Sequence, residues 1–314
     1  MPGSQLAADL WVSEYITPTD VYQHGVLEVL AAKHTAFQQM HIVRTGAYGK
    51  ALVLDGKWQS CTGDEFLYHE PLVHAPCVLH GGPRQVLVLG GGEGATVREA
   101  LKWSSVERVV MVDIDGEVVE ACKQHLVEMH QGAFDDPRTE LVIGDALNYL
   151  DDTAGVFDVI ISDLSDPIEE GPSFKLFTRE YFAKCRRALR EGGFFVVQAG
   201  PVAPPEMGLH VRLAKTVATV FTHAASYVSY VPTYASPWSY VVAADQPFPI
   251  RPEPEAIDRV LADNVRGPLR MFDGTTLLGM LQIPKHLREA IAAETQIYTL
   301  DAPPKFFGKG VAQG

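Results

Sequence analysis

The chain is short of cysteine, of basic residues and of long apolar runs, and each shortage removes a class of protein. Only Cys61, Cys77, Cys122 and Cys185 stand among 314 residues. No two of them form a CxxC pair, so neither a zinc framework nor a disulfide scaffold is expected, and reduced thiols are the simplest state. Lys and Arg number 26 against 39 Asp and Glu, a formal net charge of -13. That balance argues against nucleic acid, whose phosphates call for clustered Lys and Arg. It suits a small cationic substrate, although acidity also serves plain solubility. No stretch reaches the roughly 18 consecutive apolar residues of a membrane span, so no membrane partner is expected. Met1 to Tyr15 has neither the basic start nor the apolar core of a secretory signal. The expected location is the cytoplasm.

What is present reads as a folded chain of two parts. With 46% hydrophobic and 21% charged residues, most of the length can be built round a core. Residues 1–70 read as a small β-rich domain. Gln39 to Arg44 and Lys50 to Leu54 are strand-like, and Asp55-Gly56 is a turn signal leading into Lys57-Trp58-Gln59, so a hairpin or three-stranded sheet is expected. Residues 71–314 form the second part, where short apolar runs alternate with helical stretches. Gln85 to Leu89, Arg108 to Val112, Glu140 to Ile143, Phe157 to Ile161 and Gly193 to Val197 are the strands. Runs apolar at every position fit a sheet covered by helices on both faces. The fold class is α/β, a Rossmann-like doubly wound sheet of the methyltransferase type behind a small N-terminal β domain. Ser226 to Val231 and Ser239 to Ala243 read as an antiparallel pair. A proline-rich connector, 247–254, then leads to two further helical stretches.

The first strand of the larger domain runs into Gly90-Gly91-Gly92-Glu93-Gly94-Ala95, and Asp113 ends the second. Glycines allow a tight turn and close approach of a ligand, and a carboxylate at the next strand end can accept ribose hydroxyls. Glu93 inside the loop would repel a pyrophosphate, so a phosphate-free, positively charged nucleoside fits better than a dinucleotide. Asp145, in Gly144-Asp145-Ala146, can hold an adenine amino group or simply cap a helix. After the fourth strand, Asp163 and Asp166 lie where ligands bind in such sheets, although Asp and Pro also make turns. His69-Glu70-Pro71-Leu72-Val73-His74 is one residue too long for HExxH, and its proline is expected to disturb a helix start, so no metal site is assigned there.

Gln59 to Glu70, Gly90 to Ala95, Val112 to Asp115 and Asp163 to Pro167, in that order, resemble the motifs of the spermidine/thermospermine synthase family of polyamine aminopropyltransferases. The resemblance spans nearly the whole chain. It implies transfer of an aminopropyl group from decarboxylated S-adenosylmethionine, a co-substrate and not a permanently bound cofactor, to a polyamine. It implies that Gln38, Gln59 and Asp113 hold the methylthioadenosine part, beside Gly90, Gly92, Ile114 and Ala146, with Asp145 on the adenine. Glu93 and Asp163 would grip the aminopropyl ammonium, with His69 nearby. Asp163 and Tyr68 would orient and deprotonate the attacking amine, and Asp166, Gln198, Tyr234 and Trp238 would line the acceptor channel. Many members carry Asp where this chain has Glu93; the charge is kept. The family forms dimers or tetramers through the N-terminal domain, which also gates the substrate, so a homodimer or homotetramer is implied.

Gln198-Ala199-Gly200-Pro201, Val231 to Trp238 and Glu294 to Tyr298 look most like the thermospermine synthase members, and Ala199 and Gly200 are expected to leave room for a long amine. Spermidine is the favoured acceptor, with putrescine or agmatine as alternatives. Trp238 can equally be core. Two rivals on the same fold are a methyltransferase and an inactive scaffold; Glu93, Asp163 and Asp166 all being present speaks against both.

Overall fold

A computed structural model describes residues 8, 10–17, 19–167 and 173–304. The N-terminal part is a five-stranded antiparallel sheet of β1 (Leu10–Thr17), β2 (Asp20–His34), β3 (Gln39–Thr45), β4 (Lys50–Leu54) and β5 (Lys57–Cys61), in that order. It exceeds the expected three strands because β1 and β2 carry no clean period-two pattern. Register shifts between Val26 and Glu28 and between Val29 and Ala31 reset the alternation, leaving Leu27 and Val29 exposed next to buried Val26.

Helix α1 (Phe66–His80) leads into the larger unit, so the division expected at residue 70 falls inside it. Its prolines, Pro71 and Pro76, do not disturb the helix as the sequence suggests. Pro71 cannot bond the Leu67 carbonyl, but the Ser229 hydroxyl donates to that oxygen at 2.7 Å. The second sheet has seven strands. They are β6 (Gln85–Gly90), β7 (Arg108–Asp113), β8 (Thr139–Ile143), β9 (Phe157–Asp163), β10 (Leu189–Pro201), β11 (His223–Val231) and β12 (Ser236–Ala244), ordered β11-β12-β10-β9-β6-β7-β8. From β10 to β8 every pairing is parallel, whereas β12 and β11 add antiparallel. The strand order reverses between β6 and β9, where ligands bind in open α/β sheets.

The intervening helices are α2 (Ala95–Leu101), α3 (Gly116–His125), α4 (Val127–His130), α5 (Ala146–Asp151), α6 (Arg179–Ala188) and α7 (Gly208–Ala218). The C-terminal part holds α8 (Pro254–Asn264), α9 (Gly274–Leu281) and α10 (Lys285–Ala293), three helices where two are expected, because Pro284 separates α9 from α10. Alternate residues of each central strand serve opposite faces. Val86 and Val88 pack with α1, α8 and α9, and Leu87 and Leu89 with α6 and α7, which accounts for strands apolar at every position.

Buried Glu70 on α1 accepts the backbone N–H groups of Arg270, Met271 and Phe272 at 2.7, 2.8 and 2.9 Å, fastening the C-terminal helices to the domain. Glu70→Ala leaves those donors without a partner and is expected to cost about 3 kcal/mol. A fall in the urea midpoint is the readout, and an unchanged midpoint would deny this anchoring role.

Candidate active site

The register of the parallel sheet sets Gly90 directly opposite Asp163 at the carboxyl ends of β6 and β9. Gly90 has φ 84°, and a Cβ there would lie 2.1 Å from the Asp163 carbonyl oxygen, so no other residue fits. The N–H of Gly91 donates to that same carbonyl at 2.9 Å. The loop then turns into α2, carrying Glu93 and Thr96 towards the Asp163 side chain. Asp163 Oδ1 accepts from the Tyr68 hydroxyl at 2.7 Å, and Oδ2 from the Thr96 hydroxyl at 2.5 Å. Burial, reinforced by the charge of Glu93, raises the Asp163 carboxyl above the usual carboxylate range.

His69 lies behind Glu93, fully buried. Its Nε2 is 2.9 Å from Glu93 Oε1, and its Nδ1 is 2.9 Å from both the carbonyl and a carboxylate oxygen of Glu65. Burial opposes the charged form, yet the two carboxylates overcome it and lift His69 to about 10. The ring is therefore an imidazolium donating from both nitrogens. Arg98 continues the chain of charges, donating to Glu65 and Glu99 at 2.8 Å each. One atom each from His69, Glu93 and Asp163 lie within 4.8 Å of one another. Glu65, His69 and Glu93 form an ionic hydrogen-bond network.

A cavity of about 300 Å³ runs past these groups. At one end its wall includes Gln38, Gly90, Gly92, Asp113, Ile114, Asp145 and Ala146; Tyr68, Glu93 and Asp163 line the middle; Gln59, Asp166, Gln198, Tyr234 and Trp238 line the other end. Among the residues assigned to ligand binding or catalysis in the sequence, His69 is set back from the wall, touching it through Glu93. Asp113 Oδ1 accepts the Asp115 N–H at 2.8 Å, but burial dominates and pushes its carboxyl up to about 7, aided by the charges of Asp115, Glu93 and Asp163. Asp145 caps α5 by accepting the Leu147 N–H at 2.7 Å, and it also lines the cavity. The amide of Gln38 donates to Asp115 at 3.1 Å.

At the opposite end, Gln198 donates to the Leu164 carbonyl at 2.8 Å and to Asp166 at 3.3 Å, tying the loop after β9 to β10. The Tyr234 hydroxyl donates to the Gln59 carbonyl, and the Tyr234 and Trp238 rings lie 4.6 Å apart. Trp238 lines the cavity and also packs against the hydrophobic core, its buried Nε1 having no hydrogen-bond partner. The room expected from Ala199 and Gly200 is absent. Ala199 is fully buried in the core beneath the sheet, and Gly200, at φ 75°, would bring a Cβ within 3.0 Å of Leu209. Strand alternation sends Ala199 to the face opposite Gln198, and the register shift between Gln198 and Pro201 turns Gly200 aside as well.

Sequence reasoning missed several groups. Thr96 sits in the first turn after the glycine loop and could have been read there. Leu52, Leu54 and Trp58 of the first sheet, and Phe174 and Leu176 before α6, also line the cavity. Lys57 and Glu14 form an ion pair at 2.9 Å beside its far end. No local signal links those two. Burial raises the carboxyls of Asp166 and Glu206 there, while the Lys57 charge opposes the shift in both.

A glycine loop and Asp113 at the ends of parallel strands, with carboxyls of Glu93, Asp163 and Asp166 along one cavity, suit an α/β enzyme acting on cationic ligands. Residues 65–251 match the spermine/spermidine synthase domain, and residues 10–61 the spermidine synthase tetramerisation domain. A polyamine aminopropyltransferase of Synechococcus sp. (strain JA-2-3B'a(2-13)) is 56% identical over 302 residues, covering 94% of this chain and 97% of its own. That of Aeropyrum pernix is 47% identical over 294 residues, covering 93% of each. A crystal structure of spermidine synthase in complex with the transition state analogue AdoDATO superposes with a TM-score of 0.85 at 30% identity, covering 94% of this chain and 99% of that one. The chain belongs to the spermine/spermidine synthase family, and it is a polyamine aminopropyltransferase. Decarboxylated S-adenosylmethionine is its co-substrate, as for the family.

The His69 pKa, raised from 6.5 to about 10, stabilises the folded chain fully below pH 6.5, and that contribution is lost as pH climbs through 10. The urea midpoint of the protein should exceed that of His69→Gln at pH 6.5, with the gap narrowing towards pH 10. A gap independent of pH would show that His69 is neutral.

Proposed function

We propose that the acceptor is spermidine and the product thermospermine. On this reading Asp113 holds the ribose, Asp145 the adenine, and Gln38 flanks the methylthioadenosine part, whereas Gln59, whose carbonyl accepts from Tyr234, goes with the acceptor-end residues. The aminopropyl ammonium lies between Glu93 and Asp163, and the amine enters past Asp166, Gln198, Tyr234 and Trp238. Its nitrogen attacks the carbon next to the sulfonium. The C–N bond forms as the C–S bond breaks, and methylthioadenosine leaves as a neutral thioether. Positive charge passes from sulfur to nitrogen, and Asp163, oriented by Tyr68, takes the proton. An ordinary Asp faces a gap of about six units to a primary amine, roughly 8 kcal/mol. Burial and Glu93 raise Asp163 and narrow that gap. The same carboxylates repel the α-carboxylate of intact S-adenosylmethionine, which selects the decarboxylated form.

The observation that carries the acceptor is charge at the far end. Among the described residues, the carboxyls of Asp166, Glu14 and Glu206 act there beside the single ammonium of Lys57, a surplus of two carboxyls. Spermidine with a neutral attacking amine still carries two ammonium groups, and putrescine one. The N-terminal sheet is assigned assembly into a dimer or tetramer and gating of the channel, and the enzyme is placed in the cytoplasm.

Methylthioadenosine release with putrescine, agmatine or spermidine, with the product separated by chromatography, decides the acceptor; preference for putrescine would replace spermidine. Asp163→Asn should lower turnover by about 10³-fold while still binding methylthioadenosine. Turnover near wild type would remove Asp163 as the proton acceptor.

A further inference from the structure

Lys57 immediately precedes Trp58 and Gln59, which line the cavity, and its ammonium is 2.9 Å from Glu14 Oε1. The side chains of the pair are only 18% and 15% exposed. Glu14 is itself fixed to the wall, since its Oε2 accepts the Trp58 N–H at 3.2 Å. Asp166 faces the same end from the loop after β9. Glu206, which accepts from the Ser236 hydroxyl at 3.1 Å two residues before Trp238, lies near enough to feel the charges of Lys57, Glu14 and Asp166. The ammonium of Lys57 is thus a built-in cation in a place whose other charges would attract a ligand's cation.

We propose that Lys57, held by Glu14, is a specificity-determining residue that limits acceptor length, its fixed ammonium repelling any ligand ammonium that reaches the far end of the channel. A polyamine is a row of cations on a flexible chain, and each added segment carries one further along. Short acceptors stop before Lys57. A triamine can share the surplus carboxylates with it, and a tetraamine must bring another cation against it. A fixed positive charge therefore sets the length limit by repulsion, where a wall of apolar bulk would set it by volume. The inference rests on the far end being the acceptor end, as proposed above. The alternative role for the pair is a latch between β1 and β5 with no bearing on substrate.

The test is kcat/KM for putrescine, spermidine and spermine, at saturating donor, in wild type, Lys57→Gln, Lys57→Arg and Glu14→Gln. Lys57→Gln should raise the spermine-to-putrescine ratio by about tenfold, with KM for the donor unchanged. Lys57→Arg keeps the charge and should hold the ratio within about twofold of wild type. Glu14→Gln removes one counter-charge of Lys57 and should move the ratio the other way. An unchanged ratio in Lys57→Gln, or an equal shift in Lys57→Arg, overturns the proposal in favour of a latch. Should Lys57→Gln fail to fold, a ratio that stays constant or rises in Glu14→Gln overturns it as well. If wild type prefers putrescine, spermidine is lost as the acceptor, but the ratios among variants still decide the role of Lys57.

Discussion

The contact on which the rest depends is the close approach of two backbones, Gly90 against the carbonyl of Asp163. It exists only because residue 90 has no Cβ and can adopt a positive φ. It fixes the height at which β9 ends relative to the glycine loop. Once Gly91 has bonded the Asp163 carbonyl, the side chains of Asp163 and Glu93 must share one small volume. Two carboxylates brought together out of water demand compensation. The adjacent helix supplies it through His69, and His69 in turn requires Glu65 and Arg98. Much of what holds α1 against α2 is thus a consequence of one strand-to-loop register.

The compensation is partial, and the remainder has chemical use. Asp113, Asp163, Asp166 and Glu206 all titrate above the ordinary carboxylate range, chiefly through burial. Carboxyls buried in this way favour the entry of cations, whose charge offsets the cost of keeping theirs out of water. The two cations set behind the wall, His69 in the middle and Lys57 at the far end, keep the empty site from becoming more costly. Neither lines the cavity, so neither occupies the ligand's place.

The parallel strands were legible because helices cover both faces of the sheet, so Val88 and Leu89 are both buried and the run is apolar throughout. The motif residues were legible because strand ends converge in this topology, bringing Gly90, Asp113 and Asp163 to one edge. What could not be read depended on distant partners. Bulges in β2 erased its period. The helix through Pro71 depends on Ser229, 162 residues away. The Lys57–Glu14 pair joins positions 43 apart with no motif at either. Ala199 misled because a small residue in sequence was taken as space in a cavity, when strand alternation had already turned it into the core.

A nucleoside site at the end of a Rossmann-like sheet is common to enzymes of very different chemistry, so the fold alone cannot distinguish a methyltransferase from an aminopropyltransferase. The distinction lies in how the first sheet completes the cavity. Gln38, Leu52, Leu54, Trp58 and Gln59 all come from it. It also holds the turn that carries Tyr234. Tyr22 and His24 reach the carbonyls of Pro232 and Thr233 at 3.3 and 3.1 Å, while the linker residue Asp64 accepts the Thr233 N–H at 2.9 Å. That turn ends at Ala235 with φ 59°, a conformation costing a non-glycine residue about 1 kcal/mol or more. The strain is sustained because four bonds to the first sheet and its linker, counting Tyr234 to Gln59, fix the segment on either side. A Rossmann-like domain by itself would present an open nucleoside cleft. With this sheet docked, the cleft gains a second wall and a second, acidic end, which suits a reaction between two cationic substrates.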